Sequence, residues 1–107
     1  MICAEFFTFS DGSPAGFRIS GHSGAGAEGN DIVCAAVSSA AYMTVNTITD
    51  VVGIHHASVS VKDGYMDCKI APEDAKVCST LLKGLRLHLL ALRQQYPQNI
   101  QIIDTEV

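Results

Sequence analysis

The sequence predicts an α+β domain of element order ββαββαβ, with two helices packed on one face of a mainly antiparallel sheet. Three observations lead there. Apolar residues recur at helical spacing in two long stretches, after Asp31 and after Pro72. Short alternating or aromatic-rich stretches, separated by turn-forming residues, fill the rest of the chain. Finally, 107 residues that are 48% apolar and 17% charged, without a low-complexity tract or Pro-rich linker, make one ordered domain over residues 1–107.

In chain order, "ICAEFFTF" is rich in aromatic residues and is followed by the turn formers "SDGSPAG", so residues 2–9 form a strand. "FRISGH" then alternates Phe17 and Ile19 with Arg18 and Ser20, which predicts a second strand in a hairpin with the first. From Asp31 the period becomes helical: Val33, Ala36, Val37, Ala40, Ala41, Thr44 and Ile48 make one stripe that continues to about Val52. Asp31, or Asn30 before it, is the N-cap and Gly53 the stop. "HASVSV" and "YMDCKI" alternate on either side of Lys62-Asp63-Gly64, a hairpin with a D-G turn that would place His55 and His56 on opposite faces of a strand. Pro72 opens the second helix, with Glu73 and Asp74 complementing the helix dipole. Its stripe is Cys78, Leu82, Leu85, Leu89 and Leu92, Pro97 ends it, and "NIQIID" is the last strand. The last six elements have the βαββαβ order of a split-βαβ sandwich, with the first strand as an addition.

Charge and composition exclude several functions. A net charge of −4 with seven Lys and Arg is wrong for a domain that works by neutralising nucleic-acid phosphates, although an acidic surface attracts a basic protein partner. There is no signal-peptide pattern at the N-terminus and no run of some 18 consecutive apolar residues, so the expectation is a soluble, cytoplasmic protein that does not engage a membrane. In that setting Cys3, Cys34, Cys68 and Cys78 stay reduced. No C-x-x-C or H-x-x-x-H occurs, and a zinc site would have to be assembled from scattered residues. Neither a metal nor a cofactor is expected.

The most informative stretch is "ISGHSGAGAEGNDIVCAAVSSA". Gly24, Gly26 and Gly29 spell G-x-G-x-x-G between a strand and a helix, which must be weighed as a dinucleotide fingerprint. That fingerprint needs a parallel βαβ start, whereas the strand here is already in a hairpin and the following pair forms another. Asp50, at about the spacing of the ribose-binding acid, falls near the helix end, before the next strand begins. A P-loop is excluded because no Lys-Ser or Lys-Thr follows the glycines.

What flanks the glycines carries more chemistry. His22 ends a strand and Cys34 lies in the first turn of a helix, so the intervening loop can fold back and bring imidazole and thiol together. A thiol at a helix N-terminus beside an imidazolium is a better populated thiolate than a free one, and the first-turn N–H groups would bind a developing oxyanion. The plainer readings stand beside this one on spacing alone: a small core cysteine, a hydrogen-bonding surface histidine, Asp31 as a cap and Ser38 as a close-packing residue that shares the helix face of Cys34. Cys3, Cys68 and Cys78 read as structural, and His88 as solvated.

At these residues the chain resembles the ribosomal-processing cysteine proteases, the Prp family, whose signature runs approximately G-H-A, a glycine-rich loop, then G-x-D-I-V-C-A-x-V-S. The likeness covers Gly21-His22, Gly29, residues 31–35, Val37 and Ser38, while length and element order agree over the whole chain. The resemblance implies a cysteine endopeptidase that removes a short N-terminal extension from a protein of the large ribosomal subunit, acting as a homodimer. It places the nucleophile at Cys34, the general base at His22, supporting residues at Asp31 and Ser38, and a mobile substrate loop across Ser23, Gly24, Gly26, Glu28 and Gly29. Two departures occur. Ser23 replaces the usual alanine, and Ala27-Glu28 stands where the family usually carries an acidic-aromatic pair, among the loop contacts that would set cleavage preference. The alternative from another class is a non-catalytic α+β module that binds a ribosomal protein or assembly intermediate.

Overall fold

The computed structural model describes residues 1–22 and 31–107. Five strands, β1 (Ile2–Thr8), β2 (Pro14–Ser20), β3 (Ser58–Lys62), β4 (Tyr65–Lys69) and β5 (Ile100–Glu106), lie in one sheet of order β3-β4-β2-β1-β5. All neighbours are antiparallel except β1 and β5. Helices α1 (Ile32–Asn46) and α2 (Ala75–Gln95) supply the second layer. The split-βαβ arrangement is present, and the additional strand, β1, is inserted between β2 and β5. The hairpin explains it, because β1 must lie beside β2 on the side that β4 leaves free, and β5 then pairs with the outer edge of β1.

The β1–β2 connection is tighter than the sequence suggested. Strand β2 starts at Pro14 rather than Phe17, and Phe9 lies outside β1. Proline is tolerated as the first residue of a strand, and Gly16 is a strand residue rather than a turn residue. A Cβ on Gly16 would lie 2.0 Å from the Cys68 carbonyl oxygen, so the glycine is required by the close approach of β4.

Helix α1 buries Val33, Val37, Ala41 and Thr44 along the expected stripe, with Val45 added. The helix does not run regularly to Val52. From Thr47 it widens into a π-helical turn, Thr47–Val52, which ends at Gly53 with φ of 88°. The hydroxyls of Thr44, Thr47 and Thr49 donate back to the carbonyls of Ala40, Met43 and Val45 at 2.8, 2.7 and 3.1 Å. Such bonds compete with the backbone ladder and bend helices. By length and composition Ile32–Val52 would also serve as a membrane span, but its apolar stripe is spent on the protein core. Helix α2 follows a 3-10 turn at Pro72–Asp74 and buries Cys78, Leu82, Leu85 and Leu89.

The core lies between these helices and one face of the sheet, where Ile2, Phe6, Phe17, Ile19, Met66 and Ile100 meet both stripes. On the opposite face Phe7 is only 6% exposed, because Arg18 and Lys69 lie over its ring. The helices stop short of β3. Val59 and Val61 pair with Cys68 and Met66 on the helix-side face, yet both are exposed. That gap beside α1 is where the site forms.

Candidate active site

Residues from every neighbouring element converge on a groove of 440 Å³ between the N-terminal half of α1, the end of β2 and the β3–β4 hairpin. Cys34, Val37, Ser38, Ala41 and Tyr42 line it from α1, His22 and Gly21 from beyond β2, and Val61 to Met66 from the hairpin. The structure thus brings His22, Cys34 and Ser38 to one cavity with an apolar floor.

Each is held by recognisable local physics. Cys34 is half-buried in the first turn of α1. Asp31, extended at φ −81° and ψ 97°, caps that turn: its carboxylate accepts from the Val33 N–H at 3.1 Å and the Cys34 N–H at 3.0 Å. Its backbone carbonyl accepts from the Ala35 N–H at 3.0 Å. Of the first-turn amides expected from the sequence to receive an oxyanion, those of Val33, Cys34 and Ala35 are bonded to Asp31. Ser38 is exposed and faces the groove, so close packing is not its role.

His22 follows Gly21, whose φ is +91° and whose Cβ would lie 2.4 Å from the Met1 carbonyl oxygen. Only glycine fits there. The Gly21 N–H donates to the Gly64 carbonyl at 2.9 Å, which ties the strand end to the hairpin. The His22 side chain is exposed and its ring lies over Gly64. The loop positions Ser23, Gly24, Gly26, Glu28 and Gly29 lie outside the described residues.

Cys3 is half-buried like Cys34, whereas the other two cysteines differ. Cys68 and Cys78 are buried in the core. Burial first, then the Asp67 charge and Cys78, push the Cys68 thiol up to about 11. Burial and then Asp74 raise Cys78. Both stay protonated at neutral pH. His55 and His56 sit in the turn before β3, not in a strand, because Gly53 and the π-helical turn delay the start of that strand to Ser58. His56 Nε2 lies 2.6 Å from the Asp74 carboxylate, which links that turn to the start of α2. His88 is exposed on α2. Among the described residues no three His, Cys, Asp or Glu side chains gather as a metal site.

Sequence reasoning missed Tyr42 and Gly64. Tyr42 was legible, since 34, 38 and 42 share a helix face. Gly64 was read only as a turn former, because its contact with His22 depends on strand pairing that no local pattern encodes.

No curated protein sequence matches the chain. The solved structure of an essential ribosomal processing protease Prp from S. aureus, in complex with a covalently linked product peptide, superposes with a TM-score of 0.84 at 22% identity, covering 97% of this chain and 99% of that one. The same enzyme with a substrate peptide gives 0.82 at 20% identity, again covering 97% and 99%. SMU.848 from Streptococcus mutans gives 0.77 at 27%, covering 100% of this chain and 96% of that one. The sequence profile of the family described as Cysteine protease Prp matches residues 1–101. The chain belongs to that family of cysteine proteases.

Proposed function

We propose that this chain is an endopeptidase that removes a short N-terminal extension from a large-subunit ribosomal protein, with Cys34 as nucleophile and His22 as general base. The observation that carries the reading is that imidazole and thiol, twelve residues apart, open onto one groove with an apolar floor. In the chemistry proposed, His22 takes the Cys34 proton and the thiolate attacks the scissile carbonyl carbon. Collapse of the tetrahedral intermediate breaks the C–N bond, and His22 gives its proton to the leaving amine. Water, deprotonated by His22, then cleaves the thioester and releases the new carboxylate. With Asp31 holding the amides of residues 33 and 34, the Ser38 hydroxyl is the donor assigned to the oxyanion.

The groove has an apolar floor with Cys34, His22 and Ser38 on its lining, and the S. aureus relative was crystallised with peptides. A net charge of −4 favours the basic N-terminal region of a ribosomal protein. The homodimeric state and cytoplasmic setting belong to the same proposal. The test is incubation of the purified chain with an extended ribosomal precursor, followed by intact mass. Loss of the extension by wild type and its retention with Cys34→Ala support the reading. An intact precursor after incubation with wild type overturns it.

A further inference from the structure

We propose that Gly64, at the tip of the β3–β4 hairpin, is a positioning residue for His22: its bare Cα is the seat of the imidazole. The inference rests on the reading of His22 as general base. Pairing of Lys62 with Tyr65 leaves Asp63-Gly64 as a two-residue connection, of which Gly64 takes the left-handed conformation at φ +67°. That conformation favours glycine but also admits asparagine. A second contact bears on any side chain there, asparagine included. A Cβ built on Gly64 would lie 2.9 Å from His22 Nε2, 3.4 Å from Cε1 and 3.6 Å from Cδ2. One whole edge of the ring therefore rests where a side chain would begin.

Other glycines show that turn geometry does not explain this. Gly12 and Gly53 have φ of +86° and +88°, and a Cβ on either meets nothing within 4 Å. Gly64 also holds the backbone leading to the ring, through the bond from the Gly21 N–H to its carbonyl. The hairpin thus sets both the chain entering His22 and the plane on which its exposed ring lies. Displacing the ring costs the fold little, because an exposed side chain can swing away. It costs a dyad much more, since a misplacement of about 1 Å at a catalytic group can lower rate by about 100-fold.

The experiment compares Gly64→Ala, Gly64→Asn and Gly12→Ala in the full chain. Gly12 lies in the β1–β2 turn at the far end of β2 from His22, and Gly12→Ala introduces a left-handed alanine without a contact. Gly64→Asn relieves the backbone strain while keeping the Cβ, so it stays informative if Gly64→Ala folds poorly. On an extended precursor peptide, both Gly64 variants are expected to lose about tenfold or more in kcat with KM within about twofold, while Gly12→Ala keeps wild-type kcat. A nuclear Overhauser contact between the His22 ring and the Gly64 α-protons is expected in wild type. Full kcat in Gly64→Asn overturns the proposal. If wild type cleaves nothing, the protease reading fails separately, and the Overhauser contact decides alone: its presence supports the seat, its absence removes it.

Discussion

Replacing Asp31 separates a cap from a catalytic carboxylate. Its side chain accepts two first-turn bonds, at 3.1 and 3.0 Å, and one of the donors is the amide of Cys34 itself. Loss of an N-cap side chain costs about 1 kcal/mol, and loss of a negative charge at a helix N-terminus adds about 0.3–1 kcal/mol. Asp31→Ala should therefore lose roughly 1–2 kcal/mol, which for a domain of this size lowers Tm by about 5–10 °C. Asp31→Asn keeps a good cap and loses only the charge term, less than about 5 °C. Activity should follow the cap. Asp31→Ala loosens the turn that carries Cys34 and lowers kcat, whereas Asp31→Asn stays within about threefold of wild type because the thiol keeps its place. Thermal melts and precursor cleavage at pH 7 check both. If Asp31→Asn melts like wild type yet is as inactive as Asp31→Ala, the carboxylate acts in the chemistry and its role is not confined to capping.

Three further perturbations test the fold that holds the site. Gly16→Ala drives a Cβ to 2.0 Å from the Cys68 carbonyl oxygen and 2.9 Å from Lys69 Cα, so a loss of about 3 kcal/mol or more in denaturant unfolding is expected. The raised thiol of Cys68, at about 11 in the fold against 9.0 unperturbed, favours the protonated native state. Its contribution, on the order of 3 kcal/mol, is complete below pH 9 and is lost as pH rises towards 11, and that decline should be flatter in Cys68→Ala. Asp104 is held below the usual carboxylate range chiefly by its hydrogen bond from Arg86, at 2.9 and 2.7 Å. Both groups are near half exposed, so Arg86→Ala should cost under about 1 kcal/mol at neutral pH, and the difference should vanish as acid titrates Asp104 below pH 4.

The parts of the fold legible in the sequence were those set by local period and punctuation. The stripe from Val33 to Ile48, the D-G turn, Pro72 and Pro97 each act within a few residues of themselves, and the helices and hairpins they predict are present. What was hidden depends on partners distant in sequence. Gly16 looks like a turn residue until β4 is laid beside it, and insertion of β1 between β2 and β5 follows from pairing that no local pattern states. In the site, His22 and Cys34 stood out because of chemistry at a strand end and a helix start. Capture of the first-turn amides by Asp31 and the seat on Gly64 did not, since both are contacts of geometry rather than of residue type.

The central claim is that Cys34 forms the acyl-enzyme. The most direct measurement is an acid quench of wild type mixed with extended precursor, followed by intact mass and peptide mapping. The expected result is a transient species heavier than the enzyme by the mass of the removed extension less one water, mapped to the peptide that contains Cys34 and missing from Cys34→Ala. Cleavage of the precursor by Cys34→Ala at the wild-type rate, or an adduct mapped to Cys3, Cys68 or Cys78, would contradict it.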